Sequence, residues 1–250
     1  MITINGFNLD PSAGYILEEV TYKHTPSRQI LSQPVSRRPG DKIIANEWKN
    51  KVINLRGRMI AGTSSDLNLM VDTLQQNFAV QSLALSIDQG RTYTATLTDM
   101  QIPTQFYNNS MVEWSAEFTA FDPFAYGTAV TASGVVASGI VTYSGALTIS
   151  GSVFNYPKLI IYPNASSIKE MMVTYVPTSE TLTISGTFTA NQPLVIDYDN
   201  FYFTNNGNQS DYLGIFSRWD VGSQNYTITT TSGTNAGFNY VWSYAPKYYQ

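Results

Sequence analysis

A chain of 250 residues fits one or two domains and buries roughly 70–75% of its unfolded surface, so it needs no disulfide or metal to stand. Cysteine is absent, which excludes thiol nucleophiles, disulfide scaffolds and Cys-ligated zinc, and leaves the compartment open. A net charge of -4 argues against non-specific nucleic-acid binding; the one basic cluster is the pair Arg37–Arg38.

The first residues, MITINGFNLDPSAG, lack a basic start and an apolar core, which predicts no signal peptide. No apolar run is long enough to span a membrane as a helix. The sequons at Asn108, Asn164, Asn208 and Asn225 then read as Asn-rich loops.

Along the chain, Glu18–Leu31 has β character with a turn at Thr25-Pro26-Ser27. Ser32–Trp48 carries Pro34, Pro39 and Gly40 and reads as a loop or extended arm. Asn50–Gly62 alternates: Ile53, Leu55, Gly57 and Met59 on one side, Val52, Asn54, Arg56 and Arg58 on the other, a strand with one apolar face. A helix follows over 64–80, with Ser64 or Ser65 as its cap and an apolar stripe of Leu67, Val71, Leu74 and Phe78. Strands resume at Leu83–Leu85–Ile87, at Tyr93–Ala95–Leu97 after a Gln-Gly turn, and at Val112–Trp114–Ala116–Phe118–Ala120. One wet and one buried face predict an antiparallel sheet.

Up to Ala125 the chain holds 10 Lys/Arg and 12 Asp/Glu; from Tyr126 it holds 4 and 6 and turns rich in Thr, Ser, Tyr, Asn and Gly. This shift predicts domains at 1–125 and 126–250. The second reads as short strands spaced by Gly, Asn, Pro or Ser: GIVTYSG, ALTISGSV, PKLIIYPN, MMVTYVP, ETLTISGTF, PLVIDYD, NFYFTNN, LGIFSRW, QNYTITTTS and FNYVWSY. That spacing predicts a sandwich or jelly roll. The string LTISG, at Leu147 and Leu182, fits a strand ending in a turn and is too sparse for a repeat array.

Chemistry is thin. The single histidine, His24, has no triad context, and there is no HExxH, P-loop or dinucleotide fingerprint. Asp197, Asp199 and Asn200 read as a strand end and turn, as calcium ligands, or as a carboxylate pair; EF-hand spacing is absent and a glycosidase pair needs facing segments. Tyr198, Phe201, Tyr202, Phe203, Tyr212, Phe216 and Trp219 fit either a core or a ligand surface. No catalytic, cofactor or metal residue is assigned. The stretch FTAFDPFAYG, Phe118–Gly127, breaks a strand at Asp122-Pro123, and its rings Phe121, Phe124 and Tyr126 fit anchors or a ligand site.

Taken in order, KVINLRGRMIAGTSSDLNLMVDTLQQNF, WSAEFTAFDPFAYG, ETLTISGTF with PLVIDYDNFYFTNNG, GIFSRWDVGSQNYTITTTSG and the ending YAPKYY resemble the distal tail (Dit) family of siphophages. The loop RRPGDKIIANEW has no match in that pattern, and Ala245 and Lys247 stand where Arg-like residues are often found. The resemblance implies a mainly β chain: an N-terminal tail-tube-like β-sandwich with one helix, and a C-terminal galectin-like or carbohydrate-binding-module-like sandwich. It further implies a structural, non-enzymatic role without cofactors. The chain would form a hexameric ring around the DNA channel at the distal end of a virion tail, assembled in the host cytoplasm. Implied partners are the tail tube protein, the tape measure protein, a tail-associated lysin or fibre hub, and receptor-binding proteins. A carbohydrate-binding adhesin, taking glycan through the second half, is the alternative.

Overall fold

The computed structural model describes residues 2–34, 41–88, 90–103, 110–165, 168–230 and 237–249. Arg37, Arg38, Pro39, Gly40, Gln89 and Asn108 lie outside them. The chain divides into two compact units. One runs to Tyr126 and takes back Tyr248 and Tyr249 at the end; the other is Gly127–Lys247.

In chain order the first unit has β1 (Thr3–Ile4), β2 (Phe7–Asn8), a 3-10 turn at Pro11–Ala13, β3 (Tyr15–Tyr22), β4 (Arg28–Pro34), β5 (Asp41–Trp48), β6 (Lys51–Ile60), α1 (Ser64–Phe78), β7 (Leu83–Asp88), β8 (Arg91–Gln101), β9 (Met111–Ala120) and β10 (Ala125–Tyr126). Its main sheet is antiparallel in the order β2-β1-β7-β8-β9-β6-β3, with β10 on β8. β4 and β5 pair only with each other. Alternation explains the sheet's two faces: in β6, Ile53, Leu55 and Met59 are buried, while Asn54 and Arg56 are exposed. Gly57 belongs to the buried phase because Trp114 of β9 lies across it. A Cβ there would come within 2.4 Å of the Ile16 carbonyl oxygen and 2.9 Å of the indole ring.

α1 begins one residue earlier than a Ser64 or Ser65 cap implies, because Thr63 takes that role. Its hydroxyl oxygen accepts the Asp66 N–H at 3.1 Å and its O–H donates to the Asp66 carboxylate at 2.7 Å. Leu67, Leu74 and Phe78 are fully buried and Val71 is half-buried. Phe78 meets Trp114 at 5.7 Å and Phe118 at 5.3 Å, both edge-on, so the helix closes the sheet's inner face.

The second unit has β11 (Val130–Val136), β12 (Thr142–Ile149), β13 (Lys158–Pro163), β14 (Glu170–Tyr175), β15 (Glu180–Ser185), β16 (Leu194–Asp197), β17 (Tyr202–Asn205), β18 (Asn208–Gln209), β19 (Tyr212–Gly214), β20 (Gly222–Thr230) and β21 (Phe238–Tyr244). They form two antiparallel sheets, β11-β21-β13-β16-β17-β18 and β12-β20-β14-β15-β19. Leu159, Ile161, Ile196, Phe203 and Trp242 of the first meet Leu147, Met171, Val173, Ile184 and Ile228 of the second in one core, a β-sandwich.

Three strand readings change. GIVTYSG and ALTISGSV are one strand, β12: Gly145 does not break it but leaves room for the ring of Tyr226, which a Cβ would strike at 2.6–2.7 Å. Val130–Val136, small and Gly-containing, is a strand because it pairs along β21, with Gly134 under Tyr240. Only Tyr212–Gly214 of the LGIFSRW region is strand.

Candidate functional site

The ribbon of β4 and β5 is the first unusual surface. Ile30, Leu31, Ile43 and Ile44 are 48–61% exposed. Neighbouring residues of a strand point to opposite faces, so both faces of the ribbon show large apolar side chains. A two-stranded ribbon without a sheet or helix against it is marginal in water. The expected loop or extended arm of Ser32–Trp48 thus belongs to a ribbon that starts at Arg28 and returns to Trp48, its residues 35–40 lying outside the described ones.

The root of the ribbon is well held. The Arg28 guanidinium sits 3.9 Å above the Trp48 ring. Trp48 meets Phe124 at 5.7 Å and Tyr249 at 5.5 Å, and Phe124 meets Tyr249 at 6.0 Å. Two of these rings come from stretches the sequence singled out, the Asp-Pro step and the chain's end.

That step is an excursion from the sheet. Thr119 pairs with Thr96 of β8 and Tyr126 with Thr92, so the segment crossing Asp122-Pro123 is three residues longer than the β8 stretch it faces. Asp122 accepts the Phe124 N–H at 3.2 Å and the Tyr126 hydroxyl, which locks the bend. Phe118 is core, Phe124 is buried against the ribbon root, and Phe121 is 66% exposed.

Beneath the root lies Lys51, in phase with buried Ile53 and Leu55. Its ammonium donates to Tyr93 Oη at 2.8 Å and to the carbonyls of His24 (3.3 Å) and Tyr249 (3.4 Å). It also lies 4.7 Å and 5.0 Å from the Tyr93 and Tyr22 ring centres. None of these partners carries a negative charge, and burial lowers the ammonium pKa to about 8. His24 itself is exposed, edge-on to Tyr22 at 5.1 Å.

The outer face of β3, β6, β9 and the end of β8 is acidic. A shallow groove of about 430 Å³ there is lined by Glu19, Asp99, Glu117 and Arg56 among others. Glu113 pairs with Arg56 at 3.3 Å and Glu18 with Arg58 at 3.2 Å, leaving more carboxylates than arginines.

In the second unit the Asp197–Asn200 stretch is a braced turn. The buried Asp197 carboxylate accepts the N–H groups of Asp199 (3.1 Å) and Asn200 (3.0 Å) and pairs with Lys158 at 2.9 Å. Burial alone pushes its carboxyl up, but the Lys158 ammonium and the Asn200 bonds outweigh that and hold it below its ordinary value. Asp199 meets Lys247 at 3.6 Å. Both carboxylates therefore have a lysine ammonium as counter-charge. Among the described residues no group of three or more His, Asp or Glu is placed to hold a metal.

The aromatic residues of this unit divide. Tyr198, Phe203 and Trp219 are core, Phe216 and Tyr202 are half-buried, and Phe201 and Tyr212 are exposed. Phe154 and Tyr156, which composition did not single out, are half-buried beside the exposed Phe201: Tyr156 lies 5.7 Å from Phe154 and 5.9 Å from Phe201. No described helix is long and apolar enough to cross a membrane.

No protein-family model matches the sequence, and no curated protein matches it. By structure, the chain is similar to the crystal structure of the Dit protein (gp 19.1) of phage SPP1, described as a paradigm of the hub adsorption apparatus in phages infecting Gram-positive bacteria. The TM-score is 0.70, with 16% identity over 98% of both chains. It also matches chains of the phage P2 baseplate in its activated conformation with calcium (TM-score 0.46, 8% identity, 90% of both chains) and with strontium (0.48, 8%, 91%). The end-to-end match with SPP1 Dit shows that the chain has the Dit fold.

Proposed function

We propose that a chain with this fold is a distal tail protein of a siphophage, a hub joining the tail tube to the adsorption apparatus. The observation that carries this reading is the fold shared over 98% of both chains with a protein described as a hub. Six copies would close a ring around the DNA channel, through a head-to-tail contact whose rotation closes. The tail tube and tape measure proteins would meet one side of the ring, a tail-associated lysin or fibre hub the other, and receptor-binding proteins its periphery. The second unit would be a galectin-like sandwich, and the work structural rather than catalytic. The protein would assemble in the host cytoplasm and reside at the distal end of the virion tail.

The ribbon supports this reading by offering a means of closure. Its exposed Ile30, Leu31, Ile43 and Ile44 need a partner surface, and a neighbouring copy supplies one. Under the same reading, the acidic sheet face with Glu19, Asp99 and Glu117 would line the lumen, where lysines and arginines would hold DNA phosphates and stall transit.

The test is the double variant Ile30→Asp, Ile43→Asp, compared with wild type by sedimentation velocity. The expected result is that the wild-type ring is lost to monomer while the thermal midpoint of the fold stays within a degree or two. An unchanged assembly would remove the ribbon from the interface.

A further inference from the structure

The second unit carries a strip of five rings on its surface. Phe154, Tyr156, Phe201, Phe216 and Tyr212 follow one another at centroid separations of 5.7, 5.9, 5.9 and 4.8 Å. Phe201 is 54% and Tyr212 41% exposed, and the other three are half-buried. Tyr156 and Phe216 also wall a cleft of about 320 Å³, closed by Thr178, Glu180, Arg218 and Asp220.

Phe201 is held outward at a cost. Its φ of +55° is left-handed, a conformation that a bulky residue rarely adopts. The turn before it is fixed by the buried Asp197 carboxylate, through the Asp199 and Asn200 N–H groups and the Lys158 ion pair. A strained ring on a braced turn is a preorganised contact, as binding platforms require.

We propose that this strip and cleft bind a neutral saccharide. The C–H face of a pyranose ring is weakly positive and lies well on the negative face of an aromatic ring. Its hydroxyls both donate and accept. Glu180 and Asp220 accept from them, and the Arg218 guanidinium donates. The rim mixes signs, with Arg218 3.5 Å from Asp220, so it favours neither a polyanion nor a polycation. A protein interface is depleted of charge at its centre, whereas three charged side chains, Glu180, Arg218 and Asp220, line this cleft. The saccharide therefore fits better than a polypeptide. The inference stands on the second unit alone and is independent of the hub reading.

The experiment applies the full-length protein to a glycan array of neutral hexoses, deoxyhexoses and N-acetylhexosamines, with hits titrated calorimetrically. The expected result is at least one binding saccharide, with Phe201→Ala and Tyr212→Ala each weakening it by roughly tenfold or more. Both rings are exposed, so their thermal midpoints should match wild type, and Val135→Ala, exposed on β11 and outside the strip, should bind as wild type does. The proposal is overturned if no array saccharide binds or if binding survives both ring substitutions. It is equally overturned if the ring substitutions leave glycans aside and instead abolish association with another protein.

Discussion

Lys51 and Asp197 are buried charges whose surroundings make opposite demands on pH. Below pH 8 both folded and unfolded chains keep the Lys51 proton, and the folded form bears the cost of a buried charge with no anionic partner among the described residues. Between pH 8 and the ordinary lysine value of about 10.4, the unfolded chain binds more protons, so stability rises with pH. The thermal midpoint of wild type minus that of Lys51→Met should therefore increase from neutral pH to about pH 9.5. Parallel curves for the two proteins would contradict this account of Lys51. Asp197 runs the other way. Its folded carboxyl is held low, so its stabilisation is full above the ordinary aspartate value of about 3.9 and is lost as pH falls through the lower folded value. Asp197→Asn should cost on the order of 1–3 kcal/mol at neutral pH, by leaving the turn N–H groups and Lys158 less well bonded. Denaturant titrations should show the gap between the two proteins closing as pH falls below the ordinary aspartate value; a gap that stays constant would place the effect elsewhere. Lys51 was not singled out in the sequence, although its position is in phase with Ile53 and Leu55. The bracing of Phe201 was not, because it depends on Lys158 of β13 reaching the end of β16, a pairing that local pattern does not carry.

Elements with one buried face were the legible ones. The alternation in β6 and β9 and the four-three-four stripe of α1 each place side chains against a core, and each reappears as a burial pattern. Leu74→Ala should accordingly cost roughly 2–5 kcal/mol in a denaturant titration, while Leu69→Ala, on the exposed side of the helix, should cost little. Equal effects would mean that α1 does not lie on the sheet by this stripe. Elements built on partners rather than pattern were not legible. β11 is a strand because β21 lies beside it, and Gly145 sits mid-strand because Tyr226 needs the space. The ribbon of β4 and β5 shows the same limit. Adjacent Ile30–Leu31 and Ile43–Ile44 break alternation, and only their common exposure marks them as a surface awaiting a partner.

For the whole molecule, 16% identity with SPP1 Dit over 98% of both chains means that the fold is shared although most residues differ. That is why motifs in their order suggested the family while no family model matches. Net charge of -4 and an acidic sheet face on the first unit would suit the proposed ring, through which DNA would have to pass without sticking. A labelled duplex at low salt should accordingly show no anisotropy change with the assembled protein, and tight binding would count against a lumen lined by this face. The most direct measurement of the central claim is the mass of the purified protein across a concentration series by light scattering, with electron microscopy of the same samples. The account predicts a particle near six times 27.7 kDa with six-fold symmetry and an open centre. A monomer at every concentration, or a closed assembly without a channel, would contradict it.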